Sequence, residues 1–262
     1  MDRQLWHIVA KAIVRVNRQL PRTARRQRYS DVLIVRMVLW CVWHDRPMVW
    51  ACHRQHYTTL FRPRRLPSVS QFSRRLKTPR VQQIIAAVNE QFIQRDRPAS
   101  QSYFDGKPLP VSGHSHDKDA AKGYADGAFR RGYKLHAWAT EDGRIGRFCV
   151  KAMNAGEPNT ARELTDRIPA GSLVLADANY DSAALYQAVD DRGARLLTPL
   201  KGHARSELRL RTMPKARRRA LDLWQRNPAY CKRRLVDRCA IERIFSTLTC
   251  AGGGLNPLPA EL

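Results

Sequence analysis

The chain has 262 residues, 43% of them hydrophobic, and carries 47 lysines and arginines against 23 acidic residues, a net charge of +24. That length supports one large domain with a core plus a smaller one. No stretch approaches the roughly 20 apolar residues of a membrane span, and Met1-Asp-Arg-Gln-Leu-Trp-His lacks the apolar core of a signal peptide, so a cytoplasmic protein is expected. A charge this far beyond what solubility needs points to a polyanionic partner. The excess is uneven: +15 over residues 1–98, zero over 99–200 and +9 over 201–262. Two basic flanks around a neutral centre suit a protein that grips phosphates from two sides and keeps its carboxylates for another task. Arginine dominates the excess, and its planar fork suits bidentate phosphate contacts.

The first 98 residues read as helical. Asp31-Val-Leu-Ile-Val-Arg-Met-Val-Leu-Trp-Cys-Val-Trp is apolar nearly all round, as a helix buried in a small bundle would be, with Ser30 as its N-cap and Pro47 as its interruption. Cys41, His44, Cys52, His53 and His56 cluster there without the spacing of a zinc module. None of the six cysteines forms a C-x-x-C pair, so reduced thiols are expected. Ser68-Val-Ser-Gln-Phe-Ser-Arg-Arg-Leu predicts a short capped helix that buries Phe72 and Leu76 and exposes Gln71, Arg74 and Arg75, as a helix-turn-helix recognition helix would; an ordinary basic amphipathic helix has the same pattern. A further helix over 81–93 and a linker from Arg95 follow.

From residue 101 strands and helices alternate. Ser102–Asp105 predicts a short strand ending on Asp105, and the strands Gly132–Thr140 and Arg147–Ala152 flank a Glu141-Asp-Gly-Arg hairpin turn. A helix from Asn159 to Ile168 comes next. Ser172-Leu-Val-Leu-Ala-Asp then reads as a buried central strand ending on Asp177. Asp181 or Ser182 caps a helix over 182–189, and Arg195–Leu200 is one more strand. Residues 201–234 form a basic insertion with no clear strand, including the arginine runs Arg217-Arg218-Arg219 and Arg233-Arg234, which are candidates for DNA phosphates. Finally Ile241, Ile244, Phe245 and Leu248 make the apolar stripe of a late helix, with Arg238 and Glu242 four apart on its edge.

Three carboxylates stand out by position. Asp105 and Asp177 each end a hydrophobic strand, and the carboxyl ends of strands are where α/β sheets bind ligands; Glu242 arrives on the late helix. Separations of 72 and 65 residues mean that only the tertiary fold can bring them together. Hard oxygen donors suit Mg²⁺ or Mn²⁺, and a pair of such ions about 3.5–4 Å apart serves in-line displacement at phosphorus. Taken singly, Asp177 also reads as a turn residue, and Arg238 with Glu242 as a surface ion pair.

The segments Tyr103-Phe-Asp-Gly-Lys-Pro-Leu-Pro-Val, Arg131-Gly-Tyr-Lys-Leu-His, Val174-Leu-Ala-Asp-Ala-Asn-Tyr-Asp-Ser and Arg238-Cys-Ala-Ile-Glu-Arg-Ile-Phe resemble, in that order, the DDE transposases of bacterial insertion sequences, over about residues 100–258. The resemblance implies a ribonuclease H-like catalytic domain over 99–262, a mixed α/β sheet flanked by helices, preceded by a small all-α DNA-binding region over 1–98. It implies Asp105, Asp177 and Glu242 as ligands of two Mg²⁺ or Mn²⁺ ions, and Arg238 as the helix arginine that contacts phosphate or orients the glutamate. It also implies double-stranded DNA as partner, a homodimer on DNA, and cleavage and strand transfer at element ends. The chain departs from the pattern at Leu235 and Thr249, where some relatives have tyrosine and lysine, and in a carboxyl terminus that reads as truncated. A catalytically decayed, DNA-binding descendant is therefore the alternative.

Overall fold

The computed structural model describes residues 3–21, 27–93, 99–113, 115–125, 127–201 and 213–250. Part of the basic insertion (202–212), most of the expected linker, the Thr249 side chain and residues 251–262 lie outside this description. The chain divides into two compact units between Asp96 and Arg97. No described helix is long and apolar enough to cross a membrane.

The first unit holds α1 (Arg3–Gln19), α2 (Asp31–His44), α3 (Val69–Leu76) and α4 (Pro79–Ile93). α2 is central: Ile34, Met37 and Trp40 are fully buried, and the Trp40 ring meets Trp6 of α1 edge-on at 5.2 Å. The Ser30 hydroxyl accepts from the Leu33 amide at one end of α2, and Asp45, in the left-handed region at φ 51°, closes the other. α3 opens with a capping box in which Ser68 accepts from the Gln71 amide and the Gln71 side chain accepts from the Ser68 amide. The Asp31 carboxylate accepts from Arg75 of α3 at 2.5 Å and from Arg80 of α4 at 2.9 Å, tying three helices together.

The second unit is built on six strands: β1 (Gln101–Pro110), β2 (Ala121–Ala125), β3 (Ala128–Thr140), β4 (Ile145–Ala152), β5 (Leu173–Leu175) and β6 (Arg195–Leu197). β3 pairs antiparallel with both β1 and β4, while β5 lies parallel to β1 and β6 parallel to β5, so the strands run in the order β4-β3-β1-β5-β6. β2 pairs with Ala128–Gly132, the first part of β3. An antiparallel meander continued by two parallel strands is the ribonuclease H-like order. The helices are α5 (Glu157–Arg162), α6 (Ala183–Asp190), α7 (Lys215–Arg226), α8 (Pro228–Val236) and α9 (Cys239–Cys250). One sheet face carries Phe104, Trp138, Val174 and Leu196 under Ala161, Leu185, Tyr186 and Ala220 of α5, α6 and α7. The other carries Tyr103, Leu135, Ala137 and Leu175 under Cys231 of α8 and Ile241 and Phe245 of α9.

The chain departs from the sequence expectation at several places, among them β5 and β6, which end at Leu175 and Leu197 rather than at Asp177 and Leu200. β1 does not end at Asp105 but continues to Pro110, because the long β3 supplies a ladder as far as Gly132. β3 likewise starts before Gly132, where a hairpin with β2 turns through Gly127 at φ 79°. The helix expected from Asn159 starts at Glu157, with Pro158 in its first turn, and gives way after Arg162 to a 3-10 turn at Thr165–Arg167. Residues 215–236 are two helices whose sparse apolar positions, chiefly Ala220, Leu221 and Cys231, are hidden among arginines in the sequence. Asp181 does not cap α6: its buried carboxylate takes a two-point contact from Arg217 at 3.0 and 2.9 Å.

Candidate active site

β1 and β5 run side by side only as far as Tyr103 opposite Leu175. Two residues further on stand Asp105, still within β1, and Asp177, just beyond the end of β5. A strand repeats its facing every second residue, so Asp105 lies on the face of Tyr103, which α9 covers. β1 runs on beyond the end of β5, and the carboxylates sit at that step.

Each is held locally. Asp105 Oδ1 accepts from the Gly106 amide at 2.9 Å, and Asp177 accepts from the Asn179 amide at 2.7 Å as the cap of a 3-10 turn at Ala178–Tyr180. Burial nevertheless pushes the Asp105 carboxyl up to about 6; the Gly106 amide and Arg238 lower it, whereas Asp177 and Glu157 raise it. Burial raises Asp177 as well, with Glu157 adding to it and the Asn179 amide and Arg238 opposing it. The three carboxylates Asp105, Asp177 and Glu157 thus outnumber the two cations beside them, Arg238 and Lys134, the condition in which a carboxylate group attracts a cation.

Ile241 and Phe245, buried against the sheet, seat α9 across β1. Arg238, just before that helix, reaches Asp105 Oδ2 with Nη1 at 3.2 Å and Glu242 Oε1 with Nη2 at 3.2 Å. Glu242 itself is 59% exposed and is linked to Asp105 through Arg238. Among the described residues no three His, Cys, Asp or Glu side chains are grouped to hold a metal, and this includes the Cys41, His44, Cys52, His53 and His56 region. The donor chemistry of Asp105 and Asp177 fits a hard divalent cation, and Arg238 stands where Glu242 would have to approach them.

Glu157, which sequence reading passed over, belongs to this site. It opens α5 on the other face of the sheet, and Oε1 accepts from Lys134 Nζ at 2.7 Å while Oε2 is buried without a hydrogen-bond partner among the described residues. A Cβ on Gly106 would come within 2.9 Å of Lys134 Cδ and 3.5 Å of Glu157 Oε1, so glycine after Asp105 makes room for the pair. The Tyr180 hydroxyl is likewise buried without such a partner, its ring stacked on Phe104 at 6.2 Å, and burial with Glu157, Asp105 and Asp177 nearby raises its pKa. The available signal was Glu157 in the first turn after a strand, which reads equally as an ordinary helix-start acid.

The residues expected to contact DNA divide by what they touch. Gln71 closes its own capping box, Arg75 is paired with Asp31 and Arg217 with Asp181, so these three serve the fold. Arg74, Arg218 and Arg233 are exposed. Arg219 is exposed while pairing with Asp190 at 2.5 Å, and Arg234 lies over the Tyr230 ring at 5.6 Å. In the helical unit His7, Lys11, Arg15, Arg18 and Arg36 line one cleft, a basic surface that sequence reading did not single out.

The strand order defines a ribonuclease H-like domain, with Asp105 and Asp177 where β1 outruns β5. Residues 97–253, more than half of the chain, match the family model described as the transposase DDE domain, and the chain belongs to that family. No curated protein matches it. Two solved structures are similar in part. One is the piggyBac transposase synaptic complex with hairpin DNA, at 12% identity and a TM-score of 0.42, covering 82% of this chain. The chain spans 54% of that piggyBac chain. The other is the Mos1 transposase paired-end complex with the left transposon end, at 10% identity and a TM-score of 0.28, covering 92% of this chain and 83% of the other.

Proposed function

We propose that this protein is an insertion-sequence transposase that binds double-stranded DNA at element ends and catalyses metal-dependent strand cleavage and strand transfer. The observation that carries the reading is the pair of desolvated aspartates, Asp105 and Asp177, outnumbering the cation beside them at the step between β1 and β5. Asp105 and Asp177 would hold two Mg²⁺ or Mn²⁺ ions, with Glu242 as third ligand once Arg238 releases it. Bound there, such ions activate the attacking oxygen and stabilise the leaving one. The chain's own share is to hold both aspartates fixed through the Gly106 and Asn179 amides and to keep Lys134 against Glu157 beside them. Arg238 places a cation where a phosphate would lie. The helical residues 1–98 would grip DNA through the basic cleft of α1 and α2 and through Arg74, and Arg218, Arg219, Arg233 and Arg234 would meet phosphates beside the catalytic unit. Two ends handled together call for a homodimer on DNA, at the nucleoid.

A second reading, a DNA-binding descendant without turnover, is favoured by Arg238 bonding both Asp105 and Glu242. The deciding experiment measures Mn²⁺-dependent nicking of DNA bearing element ends by the parent, Asp105→Asn and Asp177→Asn, with DNA affinity in parallel. Nicking by the parent alone supports the enzyme. A parent that binds and never nicks supports the descendant.

A further inference from the structure

The β2–β3 hairpin carries two cross-strand pairs on one face: Tyr124 opposite Phe129, and Lys122 opposite Arg131. All four side chains are exposed, Tyr124 at 64% and Phe129 at 79%, and the two rings meet edge-on at 5.8 Å. Two large aromatic side chains left in water at a hairpin tip gain little from burial in the fold, and such patches mark interaction sites. Behind them Arg131 is fixed in place, its guanidinium donating to the Asp117 carbonyl at 2.6 Å and to the Ala120 carbonyl at 3.0 Å.

Asp105 lies on the same side of the sheet, where α8 and α9 cover Leu135 and Ala137. Asp105 pairs with Ala137 on β3, and Phe129 lies eight residues back along that strand, an even separation that keeps it on the same side. At about 3.3 Å per residue the span is about 26 Å, or about eight base pairs of B-form DNA at about 3.4 Å each. Lys107 of β1, opposite Leu135, lies on this face between them.

We propose that Lys122, Tyr124, Phe129 and Arg131 form a second DNA contact of the catalytic unit, which holds the duplex about eight base pairs from Asp105 and Asp177. The cations meet phosphates, and the two rings pack against sugars and base edges in the minor groove, where apolar side chains can wedge between base steps. The proposal rests on the DNA-handling function above. A second copy of this chain is the weaker occupant, because it would bring Lys122 and Arg131 toward like charges in a chain of net charge +24, whereas a polyanion complements them.

The test uses the full chain and a fluorescein-labelled random duplex of about 40 base pairs, with fluorescence anisotropy followed over a salt series. The Tyr124→Ala/Phe129→Ala variant is expected to bind about tenfold more weakly with an unchanged salt slope, because no charge is lost, and Lys122→Ala to reduce the slope by about one. Equal thermal melting of all three proteins is expected, since the altered side chains are exposed. A double variant that binds like a DNA-binding parent overturns the hairpin contact and leaves the DNA-handling function standing; a parent that does not bind DNA overturns both. If light scattering shows the DNA-free parent to be a dimer that the double variant loses, with DNA affinity unchanged, the surface is a contact between copies and the proposal fails.

Discussion

Asp31 in the helical unit and Asp105 in the catalytic unit are both poorly exposed aspartates beside arginine, and they differ in arithmetic. Asp31 takes two guanidinium groups, from Arg75 and Arg80. Asp105 takes one, from Arg238, and lies near two further carboxylates, Asp177 and Glu157, of which Glu157 has Lys134 as its own partner. The first is one negative charge held by two positive ones, and it joins three helices. The second is left open, and a surplus of desolvated negative charge at a sheet end is a demand for a cation from outside. A carboxylate cluster becomes informative about function when its negative charges outnumber the cations that hold it.

Neutralising each aspartate separates the two roles most strongly. Asp105→Asn is expected to reduce Mn²⁺-dependent nicking by several orders of magnitude while DNA affinity is kept and melting temperature is unchanged or higher, because a desolvated charge is removed. Loss of stability together with retained nicking would place Asp105 with the structural ion pairs. Asp31→Ala should do the reverse. It strands two arginine side chains, and leaving a buried charge uncompensated costs about 3–5 kcal/mol, read as a lower urea midpoint for the helical unit.

The pH dependence tests the open balance. Because the Asp105 pKa is raised from 3.8 to about 6, its stabilising contribution is complete below the ordinary value and is lost as pH rises through about 6. A bound cation reverses that loss. Mn²⁺ affinity by calorimetry is therefore expected to weaken about tenfold per unit below pH 6 and to level off above it, as one proton is displaced per ion bound. Removing the negative charge of Glu157 in Glu157→Gln should move that break to lower pH. A break that stays in place would detach Glu157 from the site. The smallest effects belong to the exposed arginines: Arg219→Ala or Arg233→Ala should change stability by no more than about 0.5 kcal/mol and reduce the salt slope of DNA binding by about one each.

Much of the second unit is legible in the chain. The apolar run before Asp177 and the Asp-Gly turn at 142–143 yield β5 and the β3–β4 hairpin, because strand burial and turn chemistry are local properties. The stripe of Ile241, Ile244, Phe245 and Leu248 predicts α9 for the same reason. The two arginine-rich helices α7 and α8 were passed over although Ala216, Ala220, Leu223 and Trp224 recur at helical spacing, because the arginine runs between them read as a charged insertion. Gln71 and Arg75 illustrate the same limit from the other side. Both look like outward-facing polar residues on a short helix, and one closes a cap while the other meets a carboxylate 44 positions earlier in the chain.

The amino-acid sequence alone carries the helical and the α/β halves, the basic flanks around a neutral centre, and two aspartates that follow apolar runs. Those follow from composition and short-range periodicity, which act within a few residues. The fold alone sets Asp105 where β1 outruns β5, places Arg238 between it and Glu242, and brings Glu157 in from the opposite face. Which arginines face a carboxylate and which face solvent was settled there too. Desolvation and charge balance are sums over groups far apart in the chain, so they exist only once the sheet has set its register.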